Sequence, residues 1–198
     1  SVYAVFVSNI TFKDIQKHWA KEQVEVLAAR QIVKGLAPDT FGPEVSVTRA
    51  QFTAIVLRAL GIDEKSGLNQ TFIDVKPGTW YYGAVETAYA EGLVDGVGDG
   101  RFDPGRQISR QEMAVLIARA LQQTGADKSI GFDEINNNLK RFKDRDEIAP
   151  WAQESVAKAV ELGIITGRTQ DTFVGKANAT RAESAVMVYR MLKKAGHI

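Results

Sequence analysis

The sequence predicts a mainly α fold made of three helix–loop–helix repeats. One observation behind this prediction is a set of landmark residues that recur with two spacings, 61 and then 71 residues. The other is that two stretches of each repeat carry apolar residues at the 3.6-residue spacing of an amphipathic helix. The landmarks are Trp19, Trp80 and Trp151; Gly35, Gly96 and Gly167; Phe41, Phe102 and Phe173; and Thr48, Ser109 and Thr180.

These spacings divide the chain into modules. A single repeat of roughly 50 residues buries too little apolar surface to be stable alone, so we expect the three to share one core in one compact domain. We interpret the first segment as packed terminal residues, or as what remains beside a removed signal peptide. The longer linker is expected to be an excursion or an extra turn of helix. The predicted parts are an N-terminal segment over 1–11, repeat one over 12–61, a linker over 62–71, repeat two over 72–121, a longer linker over 122–141, and repeat three with the C-terminal tail over 142–198.

Each repeat begins with a short aromatic-acid motif, which precedes the tryptophan and the first helix. In repeat one, the apolar stripe of this helix lies within 24–32. A glycine closes the sequences IVKG, LVDG and IITG, and we predict that it ends the helix because glycine readily adopts the left-handed conformation. The motifs are FKD at Phe12, FID at Phe72 and FKD at Phe142.

A loop and a second helix complete each repeat. The loops LAPDTFGPEVSV, VGDGRFDPGRQI and RTQDTFVGKANA are rich in Gly, Pro and Asp, and they are predicted to turn, with a very short strand inside. The second helix begins at TRAQ, SRQE or TRAE, whose first and fourth residues form a capping box stabilising the helix by about 1 kcal/mol. The capping pairs are Thr48 with Gln51, Ser109 with Glu112, and Thr180 with Glu183.

An arginine follows each cap: Arg49, Arg110 and Arg181. It lies at the positive end of the helix dipole, where a cation costs about 0.3–1 kcal/mol. One explanation is an ion pair with an aspartate of a neighbouring repeat. The other is an anion site, in which the free N–H groups of the helix end and the planar guanidinium together bind a carboxylate or phosphate. Both explanations remain open at this point.

Composition restricts the possible functions. The net charge is +1, from 25 basic and 24 acidic residues, which gives no support to a nucleic-acid-binding face. Without cysteine the chain has no disulfide, thiolate metal site or cysteine nucleophile. No apolar run approaches the roughly 18 residues of a membrane span, so no membrane insertion is expected. The histidines, His18 and His197, do not follow the repeat, and we expect no catalysis, no metal and no cofactor.

The FxD motif, the tryptophan, the helix ending in LVDG or IVKG, the GxFxP-type loop and TRAE together resemble the S-layer homology family over about residues 12–192. The resemblance implies three modules in a pseudo-threefold spindle, a trimer-like monomer secreted to the cell wall or S-layer. It also implies non-covalent anchoring of surface proteins to secondary cell-wall polysaccharide of Gram-positive bacteria. The sugar implied is commonly pyruvylated N-acetylmannosamine, whose ketal carboxylate the motif arginine meets in grooves between adjacent modules.

Each further candidate for ligand binding also has a structural explanation. The motif aspartates Asp14, Asp74 and Asp144 either bind sugar hydroxyls or cap the first helix. The three tryptophans either stack on a sugar or, as we favour, pack in the core. The resemblance gives the three loop glycines a close approach to the sugar, although ending the helix also explains them.

Individual positions distinguish the three repeats. Lys34, whose counterparts are Asp95 and Thr166, is expected to make the groove of repeat one the most cationic. Gln51 replaces a glutamate. Gln111 replaces the alanine of the TRAE motif, and we expect it to crowd its groove. Gly175 replaces the loop proline, which predicts a looser loop in repeat three.

The expected function is therefore that of a carbohydrate-binding anchor. The alternative is a helical-repeat protein-interaction module whose arginines hold an acidic partner. A cell-wall hydrolase is a third possibility, which would require a cleft with perturbed carboxylates.

Overall fold

A computed structural model describes residues 10–198, and over this range the chain is mainly helical, as predicted. The predicted N-terminal segment lies almost entirely outside the described residues. In place of the short strands expected in the loops, the described residues contain isolated bridges, such as Ala37 with Thr40. The α-helices are α1 Lys21–Ala29, α2 Arg49–Leu60, α3 Tyr82–Ala90, α4 Arg110–Thr124, α5 Phe132–Leu139, α6 Pro150–Glu161 and α7 Arg181–Lys194.

The helices follow one another in the order that the repeats predict, but the first helix of each repeat packs on the second helix of the preceding repeat: α3 on α2, α6 on α4 and α1 on α7. Repeat one supplies α1 and α2, repeat two α3 and α4, and repeat three α6 and α7. The eight-residue helix α5 is the excursion in the longer linker, and it packs on α6. None of the helices within residues 10–198 is long and apolar enough to cross a membrane.

The loop phenylalanines anchor each loop to the core. Phe41, Phe102 and Phe173 are fully buried, and each ring packs against the phenylalanine of its own FxD motif at centroid distances of 5.4–5.6 Å. Each repeat therefore has its loop folded back onto the start of its own first helix.

The first helices end earlier than predicted. The residues with a left-handed backbone are Gln31, Gly92 and Gly163, four positions before the predicted glycines. Gly35, Gly96 and Gly167 instead lie where the loop crosses the FxD phenylalanine. A Cβ on Gly96 would lie 2.7 Å from the Arg101 carbonyl oxygen and 2.9 Å from the Phe72 ring. Close approach of the backbone, and not helix termination, is what requires glycine here.

A ring of backbone hydrogen bonds joins the three repeats just before the caps of the second helices. The N–H of Ile108 donates to the Val47 carbonyl, Ala179 donates to Ile108, and Val47 donates to Ala179, each at 3.0 Å. All three residues are buried. Because the third hydrogen bond joins repeat one to repeat three, the bonds form a closed cycle in which every repeat contacts both of the others.

Gly96→Ala is expected to destabilise the fold. The new methyl group has no space against a carbonyl and a buried ring, and overpacking of this kind costs about 1–3 kcal/mol. In a chain of this length the melting temperature should fall by roughly 2–10 °C, measured by calorimetry. The matched control is Gly105→Ala in the same loop, where a Cβ would meet no atom within 4 Å. Equal melting temperatures for the two variants would contradict this account of the glycine.

Candidate functional site

The arginine after each cap reaches into the next repeat. In repeat one, Arg49 donates from Nε to the Phe102 carbonyl at 2.9 Å and from Nη2 to the Asp95 carbonyl at 3.2 Å. Its Nη1 lies 3.0 Å from Oε1 of Glu112. The guanidinium also lies over the Phe102 ring, 4.6 Å from its centroid. Arg49 is thus held on three sides by repeat two.

The same contacts recur around the ring. Arg110 donates to the carbonyls of Phe173 and Thr166 and pairs with Glu183 at 2.7 Å, all in repeat three. Arg181 donates to the carbonyls of Phe41 and Lys34 in repeat one. Each arginine therefore bridges to the next repeat, and the last bridges back to the first.

Two of the three arginines form the ion pair that was one of the two explanations for them. The partner is not an aspartate, however, but the glutamate of the next capping box, Glu112 or Glu183. Arg181 has no such pair among residues 10–198, because the corresponding position of repeat one holds Gln51. All three capping boxes have both of their hydrogen bonds.

The N–H groups at the starts of the second helices are not free, as the anion-site explanation assumed. In α2, the N–H of Arg49 donates to the Arg106 carbonyl at 2.9 Å, and that of Ala50 donates to the Pro104 carbonyl at 3.2 Å. Equivalent bonds join α4 to repeat three and α7 to repeat one. The free N–H groups that the anion-site explanation required are therefore absent from these three helix ends.

The capping glutamates are strongly stabilised as carboxylates. Burial alone would raise the pKa of Glu112, but hydrogen bonds from Arg106 and Ser109 and the charge of Arg49 lower the pKa from 4.5 to about 2. Glu183 has a lowered pKa for the same reasons, with burial outweighed by Arg168, Thr180 and Arg110. Both carboxylates remain charged at neutral pH and neutralise the arginine beside them.

The FxD aspartates hold the loops. Both carboxylate oxygens of Asp14 accept from backbone, the N–H of Phe41 at 2.9 Å and that of Gly42 at 2.7 Å. Asp74 and Asp144 accept equivalent pairs of hydrogen bonds from their own loops. No aspartate caps a first helix, because the caps of α1, α3 and α6 have no side-chain hydrogen bond.

The three tryptophans are exposed, so the prediction that they pack in the core is wrong. Trp19, Trp80 and Trp151 keep 58–61% of their surface in contact with solvent. The reason is their position outside the apolar stripe that faces the core: Trp19 and Trp80 lie in the turn before the first helix, and Trp151 lies in the first turn of α6. Each indole instead forms one wall of a groove between the two other repeats.

Three grooves lie between the repeats. We call the one at Arg49, Gly96 and Trp151 the first groove, that at Arg110, Gly167 and Trp19 the second groove, and that at Arg181, Gly35 and Trp80 the third groove. Their volumes are about 450, 550 and 200 Å³. Every groove thus takes its arginine, glycine and tryptophan from three different repeats, and Lys34 lines the third groove.

A second arginine in each groove was not identified from the sequence. Arg58 lines the third groove, Arg119 the first and Arg190 the second. They lie nine residues after the cap-following arginines and repeat with the same spacings, 61 and 71. This shared spacing is the signal that would have found them.

Two departures from the repeat, Gln111 and Gly175, lie next to each other. Gln111 does not crowd a groove, since its buried side chain accepts from the N–H of Ala149 at the start of α6. A Cβ on Gly175 would lie 3.1 Å from the Phe173 ring and 3.4 Å from the Gln111 amide oxygen, so the tighter contact is with the ring. The Gly175 carbonyl still accepts from the Gln111 N–H at 2.9 Å, as Pro43 and Pro104 accept in the other loops.

The sequence matches a profile of the S-layer homology domain at three places, residues 11–53, 71–114 and 141–185. It is 41% identical over 198 residues to an amylopullulanase of Thermoanaerobacterium thermosulfurigenes, matching all of this chain but 10% of that protein. It is 33% identical over 165 residues to a cellulosome-anchoring protein of Acetivibrio thermocellus, with 82% of this chain and 35% of that protein covered. It is 29% identical over 181 residues to the surface-layer 125 kDa protein of Lysinibacillus sphaericus, covering 88% of this chain and 14% of that protein. The chain therefore spans only a minor part of these relatives.

Acid should weaken the fold through Glu112. Because its folded pKa of about 2 is below the ordinary 4.5, its contribution is complete above pH 4.5 and is lost as the pH falls towards 2. The upper limit of the contribution is roughly 3 kcal/mol. Urea unfolding measured from pH 7 to pH 2 should show that the free energy of unfolding falls less with decreasing pH for Glu112→Gln than for the native protein. In the control Glu22→Gln, which changes an exposed residue of α1, the native decline should persist. Parallel curves for Glu112→Gln and the native chain would contradict the assignment.

Proposed function

The chain belongs to the S-layer homology family, and we propose that it anchors a surface protein to the wall of a Gram-positive bacterium by binding secondary cell-wall polysaccharide in its grooves. The names of its relatives support a location at the cell wall or S-layer, because they include surface-layer and cellulosome-anchoring proteins. The ligand proposed is a pyruvylated N-acetylmannosamine unit, which has an apolar face, hydroxyl groups and one carboxylate.

The relatives also support a role that is separate from catalysis. An amylopullulanase, an endoglucanase and a surface-layer protein share this segment, although it makes up only 10%, 19% and 14% of each. A segment common to proteins with such different names is best explained by a task that they have in common. We propose that this task is attachment and that the segment itself is not an enzyme.

One observation carries the binding proposal: every groove is lined by an exposed indole together with guanidinium groups. In the second groove, Trp19 of repeat one and Arg190 of repeat three line the same recess. An aromatic face suits the apolar side of a sugar ring, and a guanidinium suits a carboxylate. Three grooves on one monomeric body can also hold a polymer at several points, which raises the avidity without new contacts.

The alternative of a protein-interaction module is less well supported. It relied on the three cap-following arginines to hold an acidic partner. Arg49 and Arg110 are instead buried and paired with glutamates, so they present little charge to a partner.

Protein-free cell-wall sacculi should retain the chain in a sedimentation assay, and sacculi from which the polysaccharide has been removed should not. Enzymatic or acid removal of the pyruvate ketal should abolish most of the binding, because the carboxylate is lost. Equal retention by stripped sacculi would contradict anchoring by the polysaccharide. Equal binding of depyruvylated polymer would contradict the anionic ligand alone.

The exposed indoles give a test that does not endanger the fold. Trp19→Ala, Trp80→Ala and Trp151→Ala should lower the melting temperature by only a few degrees, because these side chains lie outside the buried core. At least one should weaken polysaccharide binding about tenfold in calorimetry, equivalent to about 1.4 kcal/mol. The control is Phe132→Ala on α5, a ring that is 78% exposed and lines none of the three grooves. Native affinity in all three tryptophan variants would rule out stacking on the sugar.

A further inference from the structure

The three grooves differ sharply in charge. The first groove is lined by two basic residues, Arg49 and Arg119, and two acidic residues, Asp95 and Glu112. In the second groove, three arginines face two glutamates. The third groove has three basic residues, Lys34, Arg58 and Arg181, and no aspartate or glutamate among its lining residues. An anion entering the third groove therefore meets only positive side chains.

The difference depends on one capping residue. In the first groove, Glu112 accepts from Nη1 of Arg49 at 3.0 Å and from Nη2 of Arg106 at 2.7 Å. Glu183 takes the same place in the second groove. In the third groove the residue is Gln51, whose Oε1 accepts from the N–H of Thr48 at 3.0 Å. The amide keeps the cap but supplies no charge to the arginine.

Arg181 is consequently held in place by other contacts, while its Nη1 has no acceptor among residues 10–198. Its Nε donates to the Phe41 carbonyl at 2.8 Å, its Nη2 donates to the Lys34 carbonyl, and its guanidinium lies 4.5 Å from the centroid of the Phe41 ring. Its Nη1 has no acceptor among residues 10–198, and it is not among the polar atoms sealed from solvent there. A rigid donor that needs no rearrangement binds a ligand at low entropic cost.

The electrostatics of Arg181 favour an incoming anion. Burial lowers the pKa of Arg181, and the charge of Asp14 partly opposes that shift. Asp14 forms no ion pair with Arg181, because its two oxygens accept from the Phe41 and Gly42 N–H groups. A carboxylate beside Nη1 would supply the neutralising charge that Glu112 and Glu183 give to the other two arginines.

We infer that the third groove is the principal site for the carboxylate of the sugar, and that Gln51 is the residue that selects it. This inference rests on the proposed function. In the first and second grooves an internal glutamate already occupies the place of the ligand carboxylate. In the third groove the ligand takes that place, with Lys34 and Arg58 around it and Trp80 at the wall.

The remaining features of the third groove agree with this assignment. Lys34 and Arg58 are exposed, and neither side chain has a hydrogen bond or ion pair with residues 10–198. The indole of Trp80 is 58% exposed.

Gln51→Glu tests the inference because it restores the internal carboxylate and keeps the capping box. The variant should be at least as stable as the native chain, and its affinity for the methyl glycoside of pyruvylated N-acetylmannosamine should fall about tenfold or more in calorimetry. Lys34→Ala and Arg58→Ala should each weaken binding, whereas Lys193→Ala, which removes one charge outside the grooves, should not. Native affinity in Gln51→Glu would overturn the inference.

A second comparison separates this inference from the proposed function. Trp80→Ala should remove the tight binding of the monosaccharide, and Trp151→Ala, in the first groove, should leave it intact. The opposite result, with the native chain still bound to intact sacculi, would overturn the choice of groove and leave the proposed function standing. Loss of sacculus binding by the native chain itself would instead reject the proposed function and with it this inference.

Discussion

The fold depends on the arginine that each second helix extends into the next repeat. Its guanidinium satisfies two loop carbonyls, lies over the buried loop phenylalanine and, in two of three cases, pairs with the next capping glutamate. A cation at a helix N-terminus is unfavourable by itself. It is accepted here because the loop that it holds also covers the N–H groups of the same helix end. The first residue of each second helix, where a cation is unfavourable by itself, is therefore the residue that connects one repeat to the next.

The grooves lie beside these contacts between an arginine and the next repeat. Each arginine joins two repeats, and the groove beside it is lined by that arginine and by the indole of the third repeat. The residues that stabilise the ring are thus the same ones that shape the grooves. An internal glutamate stabilises the arginine beside it, while Gln51 leaves Arg181 without an ion pair within residues 10–198. In our proposal, stability and ligand binding therefore compete for Nη1 of the same arginine.

The sequence predicted the repeats, the two helices of each repeat and the capping boxes because these depend on local spacing, which is visible along the chain. Predictions from the sequence failed for features that depend on contacts between different repeats. The capping glutamates appeared to serve only their own helices, and nothing local indicated that Glu112 also receives Arg49. The loop glycines were assigned to helix ends because their clash partner, the FxD phenylalanine, lies more than twenty residues earlier. Arg58, Arg119 and Arg190 had the repeat spacing but no neighbouring motif to draw attention to them.

The central claim is that the arginine and the next capping glutamate are coupled across the repeat boundary. A double-mutant cycle with Arg49→Met and Glu112→Gln, followed by urea unfolding at neutral pH, measures that coupling directly. We expect a favourable coupling free energy of about 1.5–3 kcal/mol, as for other charge-assisted hydrogen bonds that are largely buried. The corresponding cycle with Arg181→Met and Gln51→Ala should give a much smaller value, because Gln51 does not pair with Arg181. A coupling near zero for Arg49 and Glu112 would contradict the account.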